Sequence, residues 1–193
     1  MKHFFSLFFL FPICLTAQLH LSNPDFSLRN VDNQMISLES YPNAKGFILV
    51  FTCNHCPFAK LYSEKLNELH EKYETLDVQL LAINPMDTLV YEEESFEMMQ
   101  EKAKNDKFKF PYLHDDLQLA GKYFNAKNTP EVFIIWRENG NWILKYRGAI
   151  DDNSENKNRN VTYIDEAVDA LLLNKQVVTP ETPSFGCKIY YRK

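Results

Sequence analysis

The chain has 193 residues, a formal net charge of −5 and 45% hydrophobic residues, a size that suits one domain with a sizeable core. Acidic and basic residues are interspersed, and this mild charge argues against nucleic acid or an anionic membrane surface as a partner. The sequence contains no internal repeat. We therefore expect a single domain that does not bind nucleic acid.

Residues 1–17 have the pattern of a secretory signal peptide. Lys2 and His3 precede an apolar stretch at 4–11, and small residues approach position 17. The apolar stretch is shorter than the roughly 20 residues that span a bilayer, so a retained membrane anchor is the less favoured alternative. The pattern predicts a periplasmic or secreted protein, in a compartment where disulfides persist.

Strand and helix patterns alternate after this leader. In chain order they are a hairpin with strands at 25–28 and 35–38, a buried strand at 46–51, a helix from Pro57 to about Tyr73, a buried strand at 78–83, helices at 91–104 and 115–124, a hairpin with strands at 131–136 and 142–147, and a helix that begins at Thr162. They predict an α/β fold, a three-layer α/β/α sandwich with a mixed central sheet and an N-terminal β-hairpin extension. We place this domain at 18–178 and a C-terminal tail at 179–193.

The segment Cys53-Asn54-His55-Cys56-Pro57 directly follows the apolar run at 47–50. A strand that ends in CxxC and opens a helix is typical of a thioredoxin-like redox site. At the first turn of a helix, both sulfurs lie near free backbone N–H groups, which favour a thiolate. We expect Cys53 to be the nucleophile and Cys56 the resolving thiol.

A CxxC pair also forms half of many zinc sites. Zinc usually needs about four ligands, from a second CxxC or an HxxxH motif. Neither motif occurs, and a zinc site would have to recruit scattered histidines such as His20, His70 or His114. We therefore predict sulfur chemistry without a metal or an organic cofactor.

The chain resembles the thioredoxin superfamily, and more closely its exported TlpA-like and redoxin-like members, which are related to AhpC/TSA proteins. The resemblance extends over nearly all of the chain after the leader and rests on segments 24–28, 51–57, 84–85, 129–133, 146–152 and 185–189. It implies that Pro130 is cis and that Thr129 offers its backbone to a substrate strand. It also implies dithiol–disulfide exchange with protein thiols and a redox partner protein.

His55 matches the histidine in the CxHC active site of the dithiol oxidase DsbA. The resemblance implies that its imidazole stabilises the Cys53 thiolate, which would make the disulfide more oxidising. The alternative is a solvated loop residue.

Cys187 has no partner if Cys53 and Cys56 pair with each other. One interpretation is a small apolar residue in the tail. The other is a third redox thiol that forms a mixed disulfide with a partner or exchanges with the Cys53–Cys56 pair.

The sequence favours an exported thiol:disulfide oxidoreductase over two alternatives. Peroxiredoxins carry PxxxTxxC, whereas the proline and threonine positions before Cys56 hold Leu49 and Cys53. Copper-handling Sco proteins suit Cu(I) with two thiolates, but they use CxxxCP and a histidine near the cis-proline position. This chain has CxxCP and Asn128 there.

Overall fold

The computed structural model describes residues 24, 26–152 and 162–193. The predicted signal peptide at 1–17 lies outside these residues. Within the described part of the chain, no helix has the length and apolar character needed to cross a membrane.

The strands and helices follow the alternation predicted from the sequence. The strands are β1 (Leu28–Asn30), β2 (Met35–Ile36), β3 (Gly46–Phe51), β4 (Val78–Asn84), β5 (Tyr112–His114), β6 (Asn128–Thr129), β7 (Glu131–Glu138), β8 (Asn141–Gly148) and β9 (Cys187–Lys188). The helices are α1 (Pro57–Lys60), α2 (Ser63–Glu74), α3 (Phe96–Asn105), α4 (Leu119–Phe124) and α5 (Tyr163–Leu172), with 3-10 turns at Leu38–Ser40 and Glu92–Glu94.

The main sheet has seven strands in the order β2-β1-β5-β4-β3-β7-β8. Strands β3, β4 and β5 run parallel, while β1 and β7 join them in antiparallel pairing. The mixed central sheet is therefore confirmed, and so is the N-terminal hairpin of β1 and β2.

Both faces of the sheet are buried. Phe47, Leu49 and Phe51 of β3 enter one apolar cluster, which includes α4 and both CxxC cysteines. Ile48 and Val50 point to the opposite cluster, which is built from α2, α3 and α5. This alternation follows from the two-residue period of a strand and confirms the three-layer arrangement.

Several element boundaries differ from those predicted. The helix expected from Pro57 to Tyr73 is divided into α1 and α2 by a turn at Leu61-Tyr62. The helix expected at 91–104 begins only at Phe96, after the 3-10 turn. The helix expected from Asp115 begins at Leu119, because the Asp115 carboxylate accepts hydrogen bonds from the backbone N–H groups of Ala120 and Gly121.

In the second half of the chain, one strand was not predicted and one helix start was predicted correctly. Strand β5 was not predicted, because its three residues are too few for a periodic pattern. The capping box predicted at Thr162 is confirmed, since its hydroxyl accepts a hydrogen bond of 2.9 Å from the Asp165 backbone.

The segment predicted as a tail folds back onto the domain. Strand β9 pairs with β6 in antiparallel orientation, and Ile189 is buried in the apolar cluster that holds the cysteines. The Tyr191 hydroxyl donates a hydrogen bond of 2.6 Å to the Ala126 carbonyl. Residues 187–192 therefore belong to the packed structure and reach its functional end.

Candidate active site

The CxxC segment lies at the carboxyl end of the central strand β3. Cys56 is the N-cap of α1 and Pro57 occupies its first turn, where the missing N–H costs no hydrogen bond. Cys53 and Cys56 are both 0% exposed. The strand–CxxC–helix arrangement predicted from the motif is present, with both sulfurs inside the protein.

The Thr129–Pro130 peptide bond is cis, as the resemblance implied. Thr129 lies against both sulfurs of the pair. Its hydroxyl is 3.1 Å from the Cys53 sulfur, and its carbonyl oxygen is 3.1 Å from the Cys56 sulfur. The structure therefore brings the four residues Cys53, Cys56, Thr129 and Pro130 together.

The backbone of Thr129 is already occupied by the chain itself. Thr129 pairs with Cys187 across β6 and β9, and Asn128 pairs with Lys188. The tail thus lies where the sequence analysis placed a substrate strand. A substrate strand that used the same backbone groups of Thr129 would have to displace β9.

Gly186 allows the tail to approach this closely. Its φ is +147°, and a Cβ atom at this position would collide with the carbonyl oxygen of Thr129. The approach brings Cys187 next to the residue that contacts Cys56, and the Cys187 thiol adds to that of Cys53 in lowering the pKa of Cys56. Cys187 also packs against the apolar cluster that holds the pair, so its position agrees with both interpretations, the small apolar residue and the third redox thiol.

Glu94 is a site residue that the sequence analysis missed. Its buried carboxylate accepts hydrogen bonds from the backbone N–H groups of Asn54 and His55 and from the side-chain amide of Asn84, at 2.7 to 3.1 Å. The only signal was the acidic run Glu92-Glu93-Glu94, which suits a helix start equally well.

The loop between the two cysteines is fixed by these contacts. The Asn54 amide donates to the Glu93 carbonyl at 2.7 Å and accepts from the Tyr112 hydroxyl at 2.8 Å. The segment after β4 thus holds the CxxC loop of β3, and Glu94 places a carboxylate below it.

His55 interacts with Glu94 and not with a cysteine sulfur. Its Nδ1 atom lies 2.5 Å from the Glu94 carboxylate, and its ring stacks on Tyr91 with a centroid distance of 4.5 Å. A protonated His55 would offset the negative charge of Glu94, and one of its ring nitrogens also lies within 4.8 Å of the Cys53 sulfur.

The two cysteines of the pair share one proton, and the resulting thiolate can lie on either sulfur. The hydrogen bond with Cys56, burial and the negative charge of Glu94 all raise the pKa of Cys53. Hydrogen bonds from the thiols of Cys53 and Cys187 lower the pKa of Cys56 to about 4, although burial opposes this.

The contacts with Thr129 oppose these shifts, since they favour a thiol at Cys56 and a thiolate at Cys53. The Thr129 carbonyl accepts a hydrogen bond from Cys56 only when that thiol is protonated, while the Thr129 hydroxyl favours a thiolate on Cys53. Because burial beside Glu94 disfavours a charge on Cys53, we assign the thiolate of the reduced pair to Cys56. The sequence analysis expected it on Cys53.

Cys53, His55 and Glu94 are the described residues that could hold a metal ion, with their ligand atoms within 4.8 Å of one another. Sulfur, imidazole and carboxylate are suitable ligands for a transition metal. However, both carboxylate oxygens of Glu94 accept hydrogen bonds from the CxxC loop and Asn84. In this arrangement the carboxylate organises the loop.

A model of the AhpC/TSA family matches residues 21–151 of this chain. The chain belongs to the AhpC/TSA family. Its thioredoxin-like fold and the redoxin-like character expected from the sequence are thereby confirmed. No curated protein matches the chain.

Two solved structures resemble this member of the family over nearly their full length. An uncharacterized conserved protein from Geobacillus kaustophilus is 34% identical, with a TM-score of 0.81, and the match covers 91% of this chain and 92% of that one. A hypothetical protein from Sinorhizobium meliloti 1021 is 29% identical, with a TM-score of 0.81 and coverage of 92% and 96%.

A more distant structure shares the fold. A thiol-disulfide oxidoreductase from Bacteroides fragilis is 18% identical, with a TM-score of 0.53, and the match covers 65% of this chain and 88% of that one. This likeness supports the thioredoxin-like architecture.

Proposed function

We propose that this AhpC/TSA family member is an exported thiol:disulfide oxidoreductase that exchanges dithiols and disulfides with protein substrates through Cys53 and Cys56. The observation that supports this proposal best is the pair itself. Both sulfurs lie 3.1 Å from Thr129, the residue before the cis proline, and the neighbouring thiols lower the pKa of Cys56.

In the oxidising direction, a substrate thiolate attacks the Cys53 sulfur of the Cys53–Cys56 disulfide. Cys56 leaves as a thiolate, which is favoured because a thiol of low pKa leaves fastest. A second substrate thiolate then attacks the substrate sulfur of this mixed disulfide, and Cys53 leaves and takes up a proton. The substrate loses two electrons, and the CxxC pair gains them.

In the reducing direction, the attacking thiolate is either Cys53, as the sequence predicts, or Cys56, where the charge is stabilised. Prolonged alkylation of the reduced protein at pH 5, which allows the tail to open, distinguishes the two. We expect label on the peptide at Cys56 in wild type and in Cys53→Ser, and little label in Cys56→Ser.

The decisive test of the proposed function is the equilibrium of the pair with glutathione. We expect a reversible two-electron couple in the wild type and none in Cys53→Ser or Cys56→Ser. A potential near that of DsbA, about −120 mV, supports an oxidase, whereas about −270 mV, near thioredoxin, supports a reductase. If no reversible couple forms, the proposed function is wrong.

Peroxide separates this proposal from the thiol peroxidase alternative. Arg147, a cation on β8, lies 3.6 Å from Glu131 and 3.5 Å from Glu181, so carboxylates compete with any thiolate for its charge. We expect slow, non-catalytic consumption of hydrogen peroxide by the reduced protein. Rapid turnover with a thiol reductant would favour the peroxidase.

Export follows from the leader pattern at 1–17 and is part of the proposal. Expression of the full chain with fractionation of the cells tests it. We expect a mature periplasmic or secreted protein that begins at Gln18. A protein that retains Met1 and stays in the cytoplasmic fraction would contradict this part of the proposal.

A further inference from the structure

The redox pair is closed off from solvent by the protein's own tail. Cys53 and Cys56 are 0% exposed, whereas Cys187 is partly exposed. Among the three cysteines that the structure describes, Cys187 is therefore the thiol that an outside partner reaches first. Exchange between a protein substrate and the buried pair needs either displacement of the tail or a route through Cys187.

Several contacts hold the tail in this position. The Ile189 backbone N–H donates to the Lys127 carbonyl at 2.9 Å, and the Gln118 amide donates to the Tyr190 carbonyl at 2.9 Å. The guanidinium of Arg192 lies 2.7 Å from the carboxylate of Asp87. The segment directly after β9 is thus fixed against the domain.

Cys56 lies between two thiols. The Cys53 thiol and the Cys187 thiol each lower the pKa of Cys56, and Thr129, which contacts both sulfurs of the pair, is the residue that pairs with Cys187. Cys187 also pairs with Thr129 in antiparallel orientation, as a bound substrate strand would. The tail therefore presents its cysteine to Cys56 in the manner of a substrate.

We propose that Cys187 is a relay thiol, which exchanges with Cys56 inside the protein and carries the disulfide to protein substrates at the surface. This inference rests on the proposed function and names the residue through which substrates reach the buried pair. The apolar interpretation of Cys187 is the alternative that the test must exclude.

The relay consists of balanced exchanges. The Cys187 sulfur attacks Cys56 of the Cys53–Cys56 disulfide, a Cys56–Cys187 disulfide forms, and the proton lost by Cys187 ends on the departing Cys53. A substrate thiolate then attacks Cys187, and Cys56 leaves as a thiolate. A second substrate thiolate attacks the substrate sulfur of the mixed disulfide and releases Cys187. Overall the substrate loses two electrons, the Cys53–Cys56 pair gains them, and Cys187 returns to its thiol form.

The surroundings of the relay fit a polypeptide substrate. Phe185 is exposed two residues before Cys187, and Phe58 is exposed two residues after Cys56. Apolar side chains next to the reactive thiols are suited to unfolded or partly folded chains, which expose apolar residues beside their cysteines. A protein dithiol is therefore the substrate class that we propose.

Tryptic peptides make the internal exchange directly observable. Cys53 and Cys56 lie on one peptide, 46–60, and Cys187 lies on another, 176–188. The full chain is equilibrated with glutathione disulfide, quenched with acid, alkylated and digested. We expect the two peptides to be cross-linked in most molecules of Cys53→Ser and in none of Cys53→Ser/Cys187→Ser. Glutathione on Cys56 of Cys53→Ser, with Cys187 free, would overturn the relay.

The second measurement is the rate at which the oxidised protein oxidises reduced, unfolded ribonuclease A. Cys187→Ser should lower this rate at least about tenfold, because the enzyme no longer offers the substrate an accessible sulfur. Lys188→Ser, the same change at the exposed neighbouring residue, should leave it unchanged. An unchanged or faster rate in Cys187→Ser overturns the relay.

The two proposals fail in different ways. If the relay is wrong, the Cys53–Cys56 couple persists with glutathione in wild type and Cys187→Ser, and both oxidise ribonuclease A at the same rate. If the proposed function is wrong, no reversible Cys53–Cys56 couple is found in either protein.

Discussion

Two clusters of charge in this protein, one between α2 and α5 and one below the CxxC loop, use their carboxylates differently. Between α2 and α5, Lys72 lies 2.9 Å from Asp165 and 3.1 Å from Asp169, and the Tyr73 hydroxyl donates to both carboxylates. Below the CxxC loop, Glu94 is fully buried and its one cationic partner among the described residues is His55.

The two clusters differ in their exposure to solvent and in how far their negative charges are balanced by cations. Lys72 and Asp169 keep about half of their side-chain surface in water, with 46% and 52% exposed, so solvent screens their attraction. Glu94 has no such screening. Its charge adds to the hydrogen bond with Cys56 and to burial in raising the pKa of Cys53, and to burial in raising the pKa of Tyr112. The first cluster attaches helix α5 to helix α2, while the second organises the loop that carries the thiols.

The largest effect is expected from Glu94→Gln. It replaces a charged acceptor of several buried hydrogen bonds, and each such bond contributes about 1.5 to 3 kcal/mol. We expect the free energy of unfolding to fall by about 3 kcal/mol in denaturant titrations. Because the negative charge is lost, the pKa of Cys53 should also fall, and alkylation of the reduced pair should shift from Cys56 towards Cys53.

Glu93→Gln is the matched control, since Glu93 is exposed and offers only its backbone carbonyl to Asn54. It should change stability by less than about 0.5 kcal/mol. Equal losses in the two variants would show that Glu94 has no special role.

The next effect is that of Gly186→Ala, which should release the tail. The new Cβ would collide with the Thr129 carbonyl and would force a positive φ on alanine. We expect a loss of about 1 to 3 kcal/mol and rapid alkylation of Cys187 and Cys56 in the reduced protein.

Gly140→Ala controls for the backbone conformation. Its φ of +81° is also unfavourable for alanine, but a Cβ there meets no atom within 4 Å. It should leave the alkylation of Cys187 and Cys56 unchanged. Unaltered alkylation in Gly186→Ala would show that the close approach does not hold the tail.

Asp165→Asn tests the screened cluster and should cost about 1 kcal/mol. Burial alone would raise the pKa of Asp165, but hydrogen bonds from Lys72, Thr162 and Tyr73 outweigh it, and the pKa is lowered. The stabilisation by this carboxylate is therefore present above about pH 4, its ordinary value, and is lost as the pH falls through the lowered pKa.

Denaturant titrations at several pH values check this expectation. The difference between wild type and Asp165→Asn should be largest near neutral pH and should shrink in acid. Asp77→Asn, which affects the exposed pair with Lys45, should change stability by less than about 0.5 kcal/mol at every pH. A pH-independent difference for Asp165→Asn would contradict the assignment.

The smallest effect is expected from His55→Phe. Without the imidazole, the charge of Glu94 is less compensated, the thiolate is less stable, and the reduction potential should become more negative by no more than about 30 mV. A glutathione titration measures this shift. A change near 100 mV would show that His55 acts directly on the Cys53 thiolate, as the sequence resemblance implied.

Local patterns predicted most of the architecture. The apolar run at 46–51 is strand β3, the capping box at Thr162 begins α5, and the turn around Asn139-Gly140 joins β7 to β8. These features depend on residues close together in the chain. Strand β5 could not be predicted in this way, since three residues at an inner position are defined by their pairing with β4 and β1.

The candidate site shows the same division. The sequence by itself determined the CxxC pair, its place after a buried strand and the proline beside it, because motif and periodicity are local. Only the tertiary structure decided that Glu94 lies below the loop and that Cys187 contacts Cys56. These contacts join residues 39 or more positions apart, and burial, which determines where the thiolate is stable, is a property of the packed chain.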